Sequence, residues 1–399
     1  MTIQIAQKAK LMRNNNKNDS LKTPNSAFRK LPVAYSVMFI VVALLVFAPF
    51  ILSGKGFVFT ALGADGLNQH FNAFVYYGGY LRGILKNIVA GNGLVIPQWD
   101  FAIGYGGDII STFSYYMIGD PFALISVAFP TKYAEVGYTL SILLRMYCAG
   151  AAFCAYSRAM GCPKTGTLIG ALAYTFSAYA LFAAIRHPFF MDATIWLPLI
   201  WLGVEKVLNG KRPYLLAVSV FLAAVSNFYF FYMIVIISAI YVVVRCIATA
   251  TANNKNASKA SIASHFAVSL AKIAVFCIIG LAMAALLFLP STLSFLDSSR
   301  SSSPYAFDPL YTLREYEGLL ASFVCVLDGA VPLWAVVGLT PVTLLCLIVD
   351  FIKRDQSRWP RFMIICFCVF LIFPWFGYAL NGFGYVSNRW VFAYTFVAC

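Results

Sequence analysis

The chain has 399 residues, of which 61% are hydrophobic and only 11% are charged, and its formal net charge is +14. An ordinary soluble domain carries about 25% charged residues. A soluble fold of this length cannot bury so much apolar surface, so the composition excludes a cytosolic enzyme, a disordered regulator and a nucleic-acid-binding protein. It predicts an all-α polytopic membrane protein, because a helix satisfies its own backbone hydrogen bonds in lipid.

The first 31 residues are polar and basic, with seven lysines and arginines against one acid, Asp19. We predict a disordered cytoplasmic tail over residues 1–31. This tail is no cleavable signal peptide, because the first apolar run begins too late and continues too long. Since it holds much of the excess charge, the net charge does not indicate binding to nucleic acid.

Apolar runs long enough to cross a bilayer, about 20 residues each, follow the tail. They are residues 32–52, 134–156, 165–185, 189–207, 213–246, 266–290, 331–351 and 362–380, with a last run that begins near Trp390. The run 213–246 is too long for one crossing, and Asn227 is the expected break between two short spans. The chain stops at Cys399 inside the last run, so we expect a truncation there. These runs predict one transmembrane domain over residues 32–399, with about ten spans.

The distribution of charge predicts the orientation. If the tail is cytoplasmic, alternating crossings place most other lysines and arginines inside and most acids outside, in agreement with the positive-inside rule. The N-terminus of this multi-pass cell-membrane protein is therefore predicted to be cytoplasmic. Two extracellular loops are then long, at about residues 53–133 and 291–330. In the first, residues 72–90 predict an amphipathic helix and residues 113–130 an interfacial segment.

Glycine-rich turns with acids and aromatic residues occupy the first extracellular loop. Its candidate site residues are Asp65, Gln69, His70, Trp99, Asp108 and Tyr116. Desolvation beside a membrane can adapt a carboxylate to general-base work. The alternative is that each acid only caps a turn or solvates the loop, which is the commoner case for any single acid. The cluster of Asp, Asn, Gln and His at residues 65–70, so soon after a span, favours Asp65.

Cationic residues are the second signal. Arg145 lies in the middle of the run 134–156, where a charge costs at least about 2.5–3.5 kcal/mol. A structural pair with an acid and an anion site are both open interpretations. Arg186 with His187, and Asn388 with Arg389, lie at predicted outer boundaries. Guanidinium groups there suit a phosphate or diphosphate group, although an interfacial arginine can equally contact lipid headgroups. The sequence contains no catalytic triad, P-loop, dinucleotide fingerprint or metal-ligand spacing.

A basic tail, one span, a long outer loop that opens with an acid and a glutamine, and many further spans resemble the membrane glycosyltransferases of the GT-C type. More specifically, the chain resembles the bacterial YfhO family. The matching pieces are Asp65 with Gln69, residues 97–108, Tyr116 with residues 120–122, and residues 388–390. The resemblance covers essentially the whole chain and implies a GT-C-like bundle. Such proteins normally continue with further spans and an extracellular C-terminal part.

The resemblance also implies an activity. A sugar on polyprenyl phosphate would be transferred at the outer face to a cell-surface polymer such as teichoic acid, with inversion. Asp65 would be the base, and Asp108 is the second candidate. Arg145, Arg186 and Arg389 would neutralise the phosphate, while Gln69, His70, His187 and Asn388 would bind substrate and Trp99 and Tyr116 would stack on sugar. A divalent metal helps some GT-C enzymes, and Asp65 and Asp108 could hold one here, although nothing in the sequence demands it.

Two other functions stay open. The first is a transporter or flippase of lipid-linked glycans, which would place polar groups near the bilayer midplane. Asn227 and Lys272 are residues that a transporter could use. The second is a membrane assembly partner without catalytic activity. In every case the lipid bilayer is the environment, and no nucleic acid is involved.

Overall fold

A computed structural model describes residues 25–61, 64–253, 259–297, 308–324, 332–353 and 358–399. The chain divides into two compact units, Met1–Val46 and Phe47–Cys399. In the first unit, helix α1 spans Asn25–Val46 and includes Pro32. This helix begins before the predicted start of the first span at residue 32. Residues 1–24 of the predicted tail lie outside the described residues.

The second unit is mostly α-helical. Its helices are α2 (Ala48–Leu52), α3 (Asn72–Val89), α4 (Ile109–Phe113), α5 (Ala134–Ala159), α6 (Lys164–Thr175), α7 (Ala178–Arg186), α8 (Asp192–Leu208), α9 (Tyr214–Ser226), α10 (Phe228–Asn253), α11 (Lys259–Leu296), α12 (Leu313–Ser322), α13 (Pro341–Ile352), α14 (Arg358–Ile372), α15 (Pro374–Leu380) and α16 (Val391–Ala398). A π-helical turn, Gly66–Phe71, leads into α3. Strands β1 (Trp99–Asp100) and β2 (Gly107–Asp108) form an antiparallel hairpin that pairs Trp99 with Asp108.

Apolar helices of membrane-spanning length are present. Within the described part of the chain, Thr131–Ala159, Phe228–Thr251 and Ala260–Leu296 are long and apolar enough to cross a bilayer. Two bent pairs would raise this number to five: α6 with α7, bent by 41°, and α14 with α15, bent by 100°. Shorter apolar helices include α9 and α13. The structure thus supports an all-α membrane protein, and the count of about ten spans stays a prediction.

Two helix boundaries coincide with residues whose side chains cap a helix. The predicted break at Asn227 separates α9 from α10, and the Asn227 side chain accepts hydrogen bonds from the backbone N–H groups of Tyr229 and Phe230, both at 3.1 Å. The predicted span 331–351 is α-helical only from Pro341, where the Thr340 hydroxyl caps α13, and a short 3₁₀ helix, Pro332–Trp334, precedes it. Proline is favoured in the first turn of a helix and disrupts a helix interior. Pro341 therefore begins α13, and a helix that started at residue 331 would have had this proline in its interior.

Helix α8 forms the centre of the second unit. It packs against α5 and α9, and α9 packs in turn against α11. Most of its residues between Asp192 and Glu205 are buried, as expected for a helix that is apolar on all sides. Trp201 stacks on Tyr241 of α10 with ring centroids 3.8 Å apart. Near its C-terminal end, Glu205 accepts two hydrogen bonds from Arg245, at 2.6 and 2.8 Å.

The first long loop packs on this helical core. Its predicted amphipathic helix, residues 72–90, corresponds to α3. The segment predicted over residues 113–130 consists of turns and a short 3₁₀ helix, Ala123–Ala128, against which α3 packs. Arg82 of α3 donates hydrogen bonds to the backbone oxygens of Ser126, at 2.8 Å, and Phe129, at 3.0 Å. Residues 298–307 and 325–330 of the second long loop lie outside the described residues, and the described part of this loop includes α12.

Candidate functional site

Asp65, Gln69 and Tyr116 form a hydrogen-bonded chain at the N-terminal end of α3. The Gln69 amide donates to Asp65 Oδ1 at 2.6 Å, and the Tyr116 hydroxyl donates to Gln69 Oε1 at 3.0 Å. The first pair follows from helical geometry, since residues four apart share one face. The Asp65 side chain is 41% exposed. The chain therefore orients a carboxylate that remains accessible from outside the fold.

His70 and His187 lie beside this chain. His70 Nε2 and His187 Nδ1 are 2.9 Å apart, and His187 Nδ1 is 4.0 Å from Asp65 Oδ2. Burial, together with the nearby Arg145, lowers the pKa of His70 to about 4. Burial, together with the charges of His70, Arg389 and Arg186, lowers the pKa of His187 to about 3. Both imidazoles are therefore neutral near pH 7 and can share one N–H hydrogen bond.

Arg389 lies in an aromatic cage next to the histidines. Its guanidinium carbon is 4.6 Å from the ring centroid of Trp334 and 5.3 Å from that of Phe190, and the rings of Tyr229 and Tyr385 complete the cage. Nη1 donates to the Tyr229 hydroxyl at 3.3 Å, whereas Nε is buried and has no hydrogen-bond partner in the part of the chain that the structure describes. Among the described residues, no carboxylate lies within ion-pair distance of this guanidinium.

The aromatic cage connects Arg389 to His187. The His187 ring stacks on Phe190 at 4.6 Å between centroids and meets Trp334 edge-on at 4.9 Å. Trp334 has φ of 62° and its neighbour Leu333 has φ of 54°, an unusual backbone for non-glycine residues. The Leu333 carbonyl accepts a hydrogen bond from the Asn388 N–H at 2.7 Å. This bond ties the strained turn to the segment that carries Arg389.

Arg145 has acidic partners. Its guanidinium contacts Asp120 and is 3.0 Å from Asp192 Oδ1, and each of the three residues is about 1% exposed. Nη1 also donates to the Ser141 hydroxyl at 3.1 Å. Both of the sequence-based interpretations of Arg145 were open, and this geometry supports the structural pair. With two carboxylates on one guanidinium, the group is not available to a phosphate.

Asp108 and Trp99 lie in the hairpin. Asp108 caps α4, with its Oδ1 accepting from the Ser111 N–H at 2.6 Å, so it takes the capping role that was the alternative for each acid. Trp99 is exposed. The neighbouring Asp100 accepts from the Tyr76 hydroxyl at 2.6 Å, and this bond, with one from the Ala102 N–H, lowers its pKa. Among the described residues, the side chains close enough together to bind one metal ion are Asp65, His70 and His187, and Asp108 is not one of them.

The two remaining predicted residues pack closely on neighbours. Arg186 lies over the rings of Phe182 and Phe59, at 4.6 and 4.9 Å. The buried Asn388 side chain donates to the Tyr311 hydroxyl at 3.2 Å and accepts from Trp390 Nε1 at 3.1 Å. The geometry therefore gives Asn388 a role in positioning its neighbour Arg389.

Trp334, Phe190, Tyr229 and Tyr385 were missing from the sequence-based set. Aromatic residues are abundant in this chain, at 17% of its length, so their identity alone carries little information. The sequence offered one signal, which is closeness to residues already singled out: Phe190 follows His187 closely, and Tyr229 follows the break at Asn227. Trp334 lies in a predicted span and had no such signal.

The chain is similar to bacterial membrane proteins of one family. Residues 36–399 match the family model for the bacterial membrane protein YfhO. An uncharacterized protein YfhO from Bacillus subtilis (strain 168) is 25% identical over 233 residues, which are 58% of this chain and 24% of that protein. The chain thus matches about a quarter of the length of this curated relative. No solved structure matches the chain. The resemblance seen in the sequence motifs is confirmed, and the chain belongs to the YfhO family of bacterial membrane proteins.

Proposed function

We propose that this protein is a membrane glycosyltransferase that uses a polyprenyl-phosphate-linked sugar at the outer face of the cell membrane. The acceptor is a cell-surface polymer such as teichoic acid. One observation carries the proposal: Asp65, an accessible carboxylate, and Arg389, an arginine with no acidic partner among the described residues, are joined through His187 and its aromatic neighbours. A transfer from a lipid phosphate needs a base for the acceptor and a cation for the leaving group.

Asp65 is suited to the role of base. Gln69 binds Oδ1, and no described residue donates a hydrogen bond to Oδ2. In the proposed reaction, an acceptor hydroxyl oxygen attacks the anomeric carbon of the sugar while its proton passes to Asp65. The bond between the anomeric carbon and the phosphate oxygen breaks, and the phosphate leaves with the bonding electrons. Attack on the face opposite the leaving group inverts the anomeric centre.

Arg389 is suited to the leaving phosphate. Charge develops on the phosphate oxygens as the bond breaks, and a preorganised cation in a site of low polarity stabilises that charge. The aromatic rings hold the guanidinium by cation–π contacts, and no described residue forms a hydrogen bond with Nε. A guanidinium can bind phosphate with two parallel hydrogen bonds. Arg389 therefore takes the role for which Arg145 is not available.

The hairpin and Tyr116 are suited to the sugar and the acceptor. Trp99 is 56% exposed on β1, and an exposed indole ring can stack on a sugar face. The Tyr116 ring lies 4.9 Å from the His70 ring, next to the Asp65 chain. The break at Asn227, which a flippase could use, is engaged in capping α10 and in a 3.0 Å bond to the backbone oxygen of Tyr115. No observation favours the flippase over the transferase.

The test follows a labelled sugar from polyprenyl phosphate into an anionic cell-surface polymer, in membranes that contain the full chain. Asp65→Asn should lower the transfer rate by about 10²–10⁴-fold, the usual effect of losing a general base. Glu135→Gln is the matched control, because Glu135 is an exposed acid whose Oε1 accepts from the Gly56 N–H at 3.1 Å, and glutamine keeps that acceptor.

Each other outcome would contradict the proposal in a different way. Normal transfer by Asp65→Asn would exclude Asp65 as the base, and a loss in Asp108→Asn alone would assign the role to Asp108. Labelled lipid that crosses a proteoliposome bilayer without reaching an acceptor would favour a flippase. If every acid variant transfers normally while deletion of the protein abolishes transfer, the protein is an assembly partner.

A further inference from the structure

We propose that Asp65, His70 and His187 form a binding site for one divalent transition-metal ion, with Mn²⁺ as its representative. Their ligand atoms all lie within 4.8 Å of one another. Asp65 and His70 come from the turn before α3, and His187 comes from the segment between α7 and α8. The role of the ion in sugar transfer rests on the proposed function, whereas its binding does not.

The donor set suits such an ion. Two imidazole nitrogens and one carboxylate oxygen are ligands that manganese, iron, cobalt and zinc accept, whereas magnesium and calcium prefer oxygen alone. Three protein ligands leave coordination positions for water or substrate. A metal ion binds the unprotonated nitrogen of an imidazole, and each of the two histidines offers one such nitrogen to this site.

The distances also fit. Ligand atoms about 2.1 Å from a metal ion lie about 3 Å apart as neighbours in an octahedron and about 4.2 Å apart on opposite sides. His70 Nε2 and His187 Nδ1 are 2.9 Å apart, as neighbouring ligands would be. His187 Nδ1 and Asp65 Oδ2 are 4.0 Å apart, close to the distance for opposite ligands. A small rotation of the exposed Asp65 side chain completes the set.

The surroundings of the ligands also fit a functional site. The His70 ring is completely buried, and Nδ1, the nitrogen on the side away from His187, has no hydrogen-bond partner among the described residues. Burying an imidazole with one unsatisfied nitrogen is unfavourable, and such groups concentrate where function requires them. The carboxylate also has the outer support that metal ligands usually have, because Gln69 orients Asp65 and Tyr116 orients Gln69.

The charges around the site favour an ion that binds together with an anion. Asp120 and Asp192 compensate Arg145, the cation near His70. Two further guanidinium groups lie near His187: Arg389 contacts the rings of Phe190 and Trp334, and Arg186 contacts those of Phe182 and Phe59. An ion on Oδ2 would add positive charge beside Asp65, and in the proposed transfer the acceptor proton would then pass to Oδ1, which has a second lone pair besides the one that binds Gln69. The site would therefore bind the ion most tightly together with an anionic substrate.

The experiment titrates Mn²⁺ into the purified full chain after treatment with a chelator, and it follows the electron paramagnetic resonance signal of free aqueous Mn²⁺. The wild-type protein should remove one Mn²⁺ per chain from solution. His187→Gln and Asp65→Asn should each weaken binding by at least about tenfold, because they remove direct ligands. Glu135→Gln should bind as the wild type does. His187 and Asp65 are the test positions because the fully buried His70 is a harder position to change without misfolding.

Two results would overturn the site: wild-type protein that binds no stoichiometric Mn²⁺, or a folded His187→Gln variant with unchanged affinity. Folding of each variant is checked by its elution as a single species in gel filtration. Because the titration contains no sugar donor, it separates the two proposals. Stoichiometric Mn²⁺ binding without sugar transfer would support the site and contradict the transferase, and undiminished transfer by a chain without the Mn²⁺ site would do the reverse.

Discussion

Two arginines in this protein illustrate how the same side chain can serve the fold or a ligand. Arg145 is buried among α5, α8 and the first loop, and two carboxylates compensate its charge. Arg389 is only partly buried, with four aromatic rings around it and no acid partner in the described chain. A buried charge needs a partner from the protein itself, whereas a charge at an accessible boundary can take its partner from a substrate.

The comparison predicts opposite effects of matched variants. Arg145→Gln should destabilise the protein by about 3–5 kcal/mol, because it leaves Asp120 and Asp192 buried without a cation. The measurement is thermal unfolding in detergent together with the yield of folded protein. Arg389→Gln is the control and should unfold near the wild-type temperature, since it leaves no acid among the described residues unpaired. Equal stability of the two variants would contradict the distinction.

Activity should show the reverse order. Arg389→Gln should lower sugar transfer by about 10²–10³-fold, or about 2.7–4 kcal/mol, as expected when one group that stabilises developing negative charge is lost. Arg389→Lys should recover part of the rate, because it keeps the charge and loses the planar fork of donors. A folded Arg389→Gln variant with normal transfer would remove Arg389 from the proposed site.

Asp120, which pairs with Arg145, lies in the first long loop. The packing of this loop can be tested at two adjacent glycines of α3. A Cβ atom on Gly78 would lie 2.7 Å from the Ser126 backbone oxygen, whereas one on Gly79 would meet nothing within 4 Å. Gly78→Ala should therefore cost about 1–3 kcal/mol. Gly79→Ala should stabilise the exposed helix by about 0.5–1 kcal/mol. Thermal unfolding of the pair checks both signs, and destabilisation by both would show that α3 packs differently.

The smallest effect is expected at Tyr116, which positions Gln69. Tyr116→Phe keeps the ring and removes one hydrogen bond, whose net contribution is about 0.5–1.5 kcal/mol. Sugar transfer should fall several-fold, with little change in unfolding temperature. The readout is the transfer rate of Tyr116→Phe alone, of Gln69→Ala alone and of the double variant. If Tyr116 acts through Gln69, the two losses will be less than additive.

Several features could be predicted because they depend on local sequence. Helix α3 and the break at Asn227 follow from the pattern and the capping chemistry of consecutive residues. Asp65, Gln69 and His70 were singled out together, and a single turn of helix holds them together. The kink of 100° between α14 and α15 was missed, because an apolar run predicts membrane burial and does not reveal whether the helix remains straight.

The sequence by itself determined the class of the protein, since an apolar, weakly charged chain of this length is stable only in a membrane and its short motifs identify the YfhO family. Only the tertiary structure decided which charges are paired and which are available. His70 meets His187 across 117 residues, and Arg389 meets Tyr229 across 160. Such contacts depend on how bent helices and loops pack together, and the spacing of residues along the chain does not predict that packing.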